Sequence, residues 1–288
     1  MIIQFVINGF ITGLIYALAA MAFSFTYNTT KIFHIAFAGV LVTASYILFF
    51  LISAGVPLFI AILLTLILNG LLNLVIEKGI YQPLEKRRNS LNTIMIASIG
   101  VFTILINLIA ILFGNENKIL SNEIIQAITF GNIIITQMQL CQLSVSAITI
   151  SLILFVLAKT RWGFNIKALS NNKELYVVLG NNVNRTQTIL TFFSGVLAAV
   201  VSILLAFDVG FYPYFGMPLL LNALVVMILG GIGNFYGSVL GGVLLGIIQS
   251  LSVYYFEARW ETAITFVLLL VLLILRPQGI FGHKQRLV

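Results

Sequence analysis

Residues 57–76 read PLFIAILLTLILNGLLNLVI, and residues 77–90, which follow directly, read EKGIYQPLEKRRNS. The first stretch has no charged residue, and about 20 apolar residues suffice to cross the hydrocarbon core of a bilayer as a helix. The second stretch is short, polar and basic, as loops on the cytoplasmic side of a membrane usually are. This change from an apolar span to a basic gap predicts a polytopic membrane protein.

The composition of the whole chain supports the same prediction. Of 288 residues, 60% are hydrophobic and 8% are charged, whereas soluble domains carry about 25% charged residues. The net charge of +7 is distributed over short gaps between apolar runs, so it indicates membrane orientation and not nucleic-acid binding. The single cysteine, Cys141, excludes an internal disulfide and offers no basis for a metal cluster.

Apolar runs recur from one end of the chain to the other. The uncharged run 209–256 is too long for one crossing and is interrupted by Gly230-Gly231-Ile232-Gly233-Asn234. We therefore divide it into a short or re-entrant piece and a full span. The predicted spans lie near 2–27, 32–54, 57–76, 91–113, 138–158, 188–208, 219–232, 236–256 and 260–276. The predicted fold class is an all-α bundle of eight to nine transmembrane segments, discontinuous near 219–234, in one transmembrane domain over 1–288.

The basic residues predict the orientation of the chain. They concentrate in the gaps 77–90 and 159–187 and in the C-terminal tail, whereas the gap 114–137 holds only Lys118. The positive-inside rule places the three basic regions in the cytoplasm. With nine crossings, the N-terminus is then outside and the C-terminus is cytoplasmic.

The gap 159–187 is longer than a simple connection requires. Asn171 or Asn172 can cap a short helix, Glu174 falls in its first turn, and Gly180 is suited to end it. Its apolar residues recur at helical spacing: Leu175, Val178 and Leu179. Two interpretations stay open from the pattern alone, namely a helix lying on the membrane surface or a docking element for a cytoplasmic partner.

Sequence patterns for chemistry are lacking. The chain has no Gly-x-x-x-x-Gly-Lys-Ser/Thr phosphate loop, so any ATP that drives it binds to another subunit. No His-Glu-x-x-His or Gly-x-Ser-x-Gly pattern supports a membrane enzyme. Asp208 is the only acidic candidate within a span, and it lies at a span end, which argues against a proton- or sodium-coupled carrier.

Polar residues inside apolar runs are candidates for a translocation path. A buried amide without a partner is costly, so each is expected to face another helix or a water-filled path. His34 has the same two interpretations, as a histidine bonded to a neighbour or as a residue lining the path. The break at 230–234 is expected beside a cavity, because unwound backbone at membrane depth needs a polar surrounding. The amides in question are Asn8, Asn69, Asn73, Asn107 and Asn222.

Five stretches together resemble the branched-chain amino acid permease family of ABC importers, which also includes urea and short-amide permeases. They run in order from the first helix to the tail. The stretches are Asn8-Gly9 with Gly13, Tyr16 and Ala17; Ile80 to Leu84 with Ile94 to Gly100; Gly163 to Ala168 with Glu174 and Leu179-Gly180; Pro213, Gly216, Ala223 and Leu229 to Gly233 with Gly237 and Gly241-Gly242; and Arg276 to Gly282.

The resemblance implies a set of partners. Such a permease pairs with a second related permease or a second copy of itself, with two cytoplasmic ATPases that bind ATP and Mg²⁺, and with an extracytoplasmic solute-binding protein. The chain itself would bind no cofactor or metal and would sit, multi-pass, in the inner membrane of a bacterial or archaeal cell. A stand-alone channel or secondary carrier for a small neutral solute is the alternative.

The resemblance also implies two groups of site residues. The ATPase-coupling loop would include Gly163, Lys167, Ala168, Glu174, Leu179 and Gly180. The translocation path would include Asn8, His34, Phe37, Ser98, Tyr212, Asn222, Gly230, Gly231 and Gly233. This sequence departs from the family at 34–38, where His-Ile-Ala-Phe-Ala replaces Asn-Phe-Ala-His-Gly, and has Asn222 for a lysine, Lys167 for an arginine and Leu175-Tyr176 for two alanines. The solute can therefore be a branched-chain or other amino acid, urea or an amide.

Overall fold

The protein is described by a computed structural model that covers residues 2–87, 90–120, 127–130, 133–276 and 278–281. It is built almost entirely from helices, as the all-α prediction requires. The helices are α1 (Ile2–Thr30), α2 (Phe37–Ser53), α3 (Leu58–Ile76), α4 (Gln82–Lys86), α5 (Leu91–Phe113), α6 (Gln137–Lys159), α7 (Arg161–Asn171), α8 (Lys173–Val178), α9 (Val183–Asp208), α10 (Gly216–Gly230), α11 (Phe235–Phe256) and α12 (Glu261–Leu275). A π-helical turn, Glu77–Tyr81, joins α3 to α4, and a 3-10 turn, Ala258–Trp260, precedes α12.

Seven helices in the described part of the chain are long and apolar enough to cross a membrane. One of them is the continuous helix Leu58–Lys86, which α3, the π-helical turn and α4 form together. The shorter apolar helices Phe37–Ser53 and Gly216–Gly230 occupy the remaining two predicted span positions. Lipid cannot satisfy backbone polar groups, so each apolar run satisfies them internally as a helix. The polytopic all-α fold is thereby confirmed.

The start of the second predicted span was wrong. The chain is not helical from residue 31 to 34, and α2 begins only at Phe37. Lys31 ends α1 with a left-handed backbone, φ 58°, a conformation that non-glycine residues rarely adopt. His34 therefore lies in the connection between two helices and not at the start of one.

The described residues cluster into two compact units. The first contains residues 1–24, 123–160 and 221–288. In this unit α1 packs closely against α11: a Cβ added at Gly9 would lie 2.7 Å from the Gly246 carbonyl oxygen, and one at Gly13 would lie 2.7 Å from that of Gly242. Small residues at such crossings let two membrane helices pack backbone to backbone.

The second unit contains residues 25–122 and 161–220, and its longest packed pair is α3 with α9. The side-chain amides of Asn69 and Asn73 donate to the backbone carbonyls of Gly195 and Thr191, each at 2.8 Å. Both acceptors lie on α9, one turn apart, so two polar bonds fix how α3 lies along α9. For these two amides, the prediction that each faces another helix is confirmed.

Elsewhere in this unit, aromatic rings pack around Tyr46 and Phe211, whose ring centroids are 4.9 Å apart.

Two elements were not predicted. A β-hairpin pairs β1 (Ala127–Phe130) with β2 (Ile133–Thr136), and α7 precedes the predicted short helix in the gap 159–187. The hairpin is held to the first helix by Gln4. The Gln4 amide nitrogen donates to the Ile134 carbonyl at 2.7 Å, and the Ile134 N–H donates back to the Gln4 oxygen at 2.8 Å.

Candidate functional site

Polar side chains form a stripe along α1 in the first unit. They recur at every fourth residue, which places them on one face of the helix: Gln4, Asn8, Thr12 and Tyr16. Gln4 donates to the Asn8 side-chain oxygen at 3.0 Å, and Thr12 donates to the Asn8 backbone carbonyl at 3.0 Å. Asn8 and Thr12 are half-buried. Half-exposed polar groups on a membrane helix are expected to face water or another protein surface.

The stripe continues into a cluster that links α1, α10, α11 and α12 in the first unit. The Tyr16 hydroxyl interacts with the Asn222 side chain. The Gln249 amide nitrogen donates to the Asn222 oxygen at 3.2 Å and to the Thr265 hydroxyl at 2.6 Å. Asn222 thus faces another helix, as predicted for it. Gln249 was missed by the sequence analysis, although an uncharged amide in an apolar run is the same signal that identified the asparagines.

The second unit holds a separate polar network around His34. His34 is 1% exposed; its Nδ1 lies 2.7 Å from the Tyr81 hydroxyl and its Nε2 lies 2.9 Å from the Asn73 oxygen. The Tyr81 and Ser98 hydroxyl oxygens are 2.8 Å apart, and Ser98 accepts from the Ala36 N–H at 2.8 Å. His34 and Ser98 are therefore brought together, in the buried interior of this unit.

The network fixes the protonation of His34. Burial lowers the pKa of His34 to about 4, although its bond to Asn73 opposes the shift, so the ring is neutral at pH 7. The side-chain nitrogen of Asn73 donates to the Thr191 carbonyl, so the side-chain oxygen of Asn73 is the atom that faces His34 and must accept from His34 Nε2–H. The neutral ring then leaves Nδ1 as an acceptor 2.7 Å from the Tyr81 hydroxyl oxygen, and the Tyr81 hydroxyl also bonds to Ser98.

A buried acid lies beside this network, and it corrects the expectation that Asp208 is the only acidic candidate. Glu77 begins the π-helical turn and is 1% exposed. Within the described structure neither of its carboxylate oxygens has a donor at bonding geometry, although Gln82 is close. The sequence placed Glu77 in a cytoplasmic gap because it is followed by basic residues. Glu77 is instead a buried residue of the continuous helix Leu58–Lys86. Asp208 lies at the end of α9, as predicted.

The remaining path candidates occupy different positions. Phe37 is buried at the start of α2 with its ring 6.0 Å from that of His34, and Tyr212 is exposed in the turn before α10. Asn107 was predicted to face another helix or a path, but it is exposed and donates to the Thr103 carbonyl on its own helix. Asn8 likewise bonds within its own helix.

The glycine break separates α10 from α11, as predicted. Gly230 ends α10, and Gly231 and Gly233 have φ values of 92° and 90°, which favour glycine. The C-terminal segment closes over the break. The Ile280 N–H donates to the Leu229 carbonyl at 2.8 Å, and the Asn234 side chain donates to the Phe281 carbonyl at 3.1 Å.

The predicted short helix of the gap 159–187 is confirmed as α8. The Asn172 oxygen caps it by accepting from the Leu175 N–H at 2.9 Å, Glu174 lies in its first turn, and Gly180 follows its end with φ 78°. The preceding α7 carries three further predicted residues. Gly163 is buried, whereas Lys167 and Ala168 are exposed.

Two contacts hold α8 in place. Tyr176 is 3% exposed, and its hydroxyl lies 3.0 Å from that of Thr186 on α9. The Lys173 ammonium donates to the Glu85 carboxylate at 3.1 Å. The apolar stripe of α8 points away from these anchors and is exposed: 55% at Leu175, 80% at Val178 and 66% at Leu179. A groove of about 530 Å³ runs beside it, lined by Lys173, Val177 and Gly180 to Asn184.

The amino-acid sequence of this chain is similar to those of known transport proteins. Residues 5–274 match the family described as "Branched-chain amino acid transport system / permease component". The chain is 26% identical to the high-affinity branched-chain amino acid transport system permease protein BraD of Pseudomonas aeruginosa, over 98% of this chain and 96% of that protein. It is 27% identical to the probable branched-chain amino acid transport permease protein LivH of Methanocaldococcus jannaschii, over 92% of this chain and 88% of that protein.

A solved structure shares the fold. PsaBC from Streptococcus pneumoniae in complex with Fab matches with a TM-score of 0.55 and 16% identity, over 94% of this chain and 91% of that chain. The apolar helices and the family match together identify a multi-pass protein of the inner membrane, which works as a transport component and not as an enzyme. Since the match extends over nearly the whole chain, this protein belongs to the branched-chain amino acid transport permease family.

Proposed function

We propose that this chain forms one half of the translocation path of an ATP-driven importer for branched-chain amino acids. The observation that carries the proposal is the exposed apolar stripe of α8. Three large aliphatic side chains of this stripe are exposed, although the helix itself is anchored through Tyr176 and Lys173. An exposed apolar patch on an anchored element is the kind of surface that a partner protein covers.

The partner of α8 is a cytoplasmic ATPase. Two ATPases would bind ATP and Mg²⁺, close together on binding, and move the permeases through α8. A second related permease, or a second copy of this chain, would form the other half of the path. An extracytoplasmic binding protein would deliver the solute. The residues 159–187 would then act as the coupling loop, with the N-terminus outside and the C-terminus in the cytoplasm.

The polar stripe of α1 supports a path for an uncharged or zwitterionic solute. Its four side chains are amides and hydroxyls, which bind by hydrogen bonds and do not bring a charge of their own. The relatives' names give branched-chain amino acids as the transported class. The fully buried His34, Phe37 and Ser98 would support the path from within their unit.

Purification in a gentle detergent tests the assembly. We expect a phosphate-loop ATPase and a second polytopic chain, or a second copy, to co-purify with this protein from its native membrane. Val178→Asp places a charge in the apolar stripe and should release the ATPase, while Val178→Ala should retain it. Glu174→Lys and Gly180→Pro should uncouple ATP hydrolysis from uptake without removing the protein from the membrane. Recovery of a folded chain without an ATPase would overturn the proposal.

The buried Glu77 favours a second candidate, a proton-coupled carrier. A carboxyl group in the interior of a membrane protein is the usual site for a transported proton. The two candidates differ in their energy source. Uptake by an importer stops when ATP is depleted and persists with a protonophore, whereas uptake by a proton-coupled carrier shows the opposite dependence and is lost in Glu77→Gln.

A further inference from the structure

The Gln249 side chain contains an acceptor oxygen to which no described residue donates a hydrogen bond. Gln249 is 4% exposed, and both hydrogens of its amide are engaged, by Asn222 and by Thr265. Its Oε1 atom, in contrast, is buried and has no donor among the described residues. A buried acceptor left unsatisfied costs about 1–3 kcal/mol. A ligand that donates a hydrogen bond to this oxygen would remove that cost.

A carboxylate belongs to the same cluster. Glu261 begins α12, and its backbone carbonyl accepts at 2.9 Å from the hydroxyl of Thr265, the residue that also bonds to Gln249. Glu261 is half-buried and has no ion pair in the described part of the chain, whereas the nearby Glu257 is exposed and paired with Arg259 at 2.8 Å. A half-buried carboxylate without a counter-charge is complementary to a cationic group.

The packing of α12 provides access to these acceptors. Among its residues only Thr265 is buried, and the Gln249–Thr265 bond connects α12 to α11. A helix with one buried side chain can shift with little loss of packing. Since Thr265 bonds to Gln249, a shift of α12 would change the surroundings of the Gln249 side chain.

We infer that Gln249 and Glu261 form a binding site for the ammonium group of the transported solute, and this inference rests on the proposed function. Both groups accept hydrogen bonds, and one carries a negative charge. Their natural complement is a cation with several N–H donors, which an α-amino acid supplies. The same site discriminates against a solute of equal shape that has a hydroxyl in place of the ammonium.

The test uses the whole importer, reconstituted in liposomes with its ATPases and its binding protein, and labelled L-leucine as the probe. Glu261→Gln should lower leucine uptake about tenfold or more, because the negative charge that strengthens the hydrogen bond to the ammonium is lost. The matched control, Glu257→Gln, removes the exposed neighbouring charge and should leave uptake unchanged. ATP hydrolysis in the absence of leucine should stay at the wild-type rate in both variants.

A second pair of variants separates binding from packing. Gln249→Met removes the open acceptor and should lower leucine uptake, while Thr265→Val removes only a hydrogen-bond partner of Gln249 and should preserve it. In excess, 2-hydroxy-4-methylpentanoate, which has the shape of leucine and no ammonium group, should compete more weakly in the wild type than in Glu261→Gln. Equal losses in Gln249→Met and Thr265→Val would show a packing role and overturn the inference.

The remaining outcomes are equally decisive. Normal leucine uptake in both Glu261→Gln and Gln249→Met overturns the ammonium site and leaves the importer function intact. Leucine uptake that requires Na⁺ in the wild type and loses this requirement in Glu261→Gln assigns the acceptors to a metal cation instead. A wild-type complex without ATP-dependent leucine uptake overturns the proposed function, and the ammonium site with it.

Discussion

The ammonium of Lys173 lies 3.1 Å from the carboxylate of Glu85, which connects the first residue of α8 to α4 at the end of the continuous helix Leu58–Lys86. The two residues are 88 positions apart in the chain. A movement of α8 would therefore reach the long helix directly through a pair of opposite charges.

Charge exchange tests this connection. Lys173→Glu places two carboxylates together and should lower the amount of solute taken up per ATP. The double variant Lys173→Glu with Glu85→Lys should restore it. Because both side chains are about half-exposed, the effect should not exceed about fivefold, equivalent to about 1 kcal/mol. A double variant as impaired as the single one would show that the charges act independently.

The contact between α1 and α11 predicts which glycines tolerate a side chain. Gly13→Ala would force a methyl group against the Gly242 carbonyl oxygen and the Val243 Cα, atoms that cannot move aside. We expect the amount of folded protein in detergent to fall severely, measured by size-exclusion chromatography. Gly100→Ala on α5 is the matched control, since a Cβ there meets nothing within 4 Å, and it should stabilise the helix by up to about 1 kcal/mol. Equal behaviour of the two variants would contradict the assigned helix contact.

The neutral His34 predicts how stability depends on pH. Its pKa is about 4 in the folded protein and about 6.5 in an unfolded chain. Between these values the unfolded state binds a proton that the folded state excludes. The contribution of His34 to the stability is therefore complete above about pH 6.5, and it falls by about 1.4 kcal/mol per pH unit as the pH drops toward 4.

Thermal unfolding in detergent between pH 4 and pH 8 measures this dependence. His34→Gln removes the titrating ring and should be less stable than the wild type at pH 7, and this difference in stability should shrink as the pH falls from 6.5 to 4. A variant with the same slope as the wild type would assign the pH dependence to other groups.

Asn222 and Asn107 make a matched pair of asparagines. Asn222→Leu breaks the connection between Gln249 and Tyr16 of the α1 stripe, whereas Thr265→Val removes one acceptor of Gln249 only. Asn222→Leu should lower uptake about tenfold, since an amide left buried without an acceptor costs about 1–3 kcal/mol. Asn107→Leu removes an exposed amide that bonds only to its own helix, and it should leave uptake unchanged. Normal uptake kinetics in Asn222→Leu would return Asn222 to a packing role.

The sequence predicted the elements whose causes are local. Spans were identified because lipid requires long apolar runs. The helix α8 was identified because its start and its end are determined by nearby residues, namely Asn172, Glu174 and Gly180. The missed hairpin also had a local signal, since Gly131-Asn132 lies between two runs of β-forming residues. The same is true of α7, whose buried residues Gly163, Ile166 and Leu169 recur at helical spacing.

The parts that could not be predicted depend on distant residues. The burial of Glu77 follows from how a continuous helix packs, while the charges after it indicated a loop. The bonds of His34 depend on Asn73 and Tyr81, which are 39 and 47 residues away. Nothing in the apolar run around Gln249 distinguishes its free oxygen from its occupied nitrogen. Such properties belong to the packed structure and not to any window of the sequence.

The π-helical turn at Glu77–Tyr81 sets the direction in which α4, the last part of the long helix Leu58–Lys86, faces. A π-helical turn contains one residue more than an α-helical turn. Loss of one residue there would turn α4 by about 100° and draw it back by about 1.5 Å. Glu85 would then face away from Lys173. In this segment the insertion or deletion of one residue is thus a rotation, and a single codon can change how α4 is aligned with α8 without any change in chemical character.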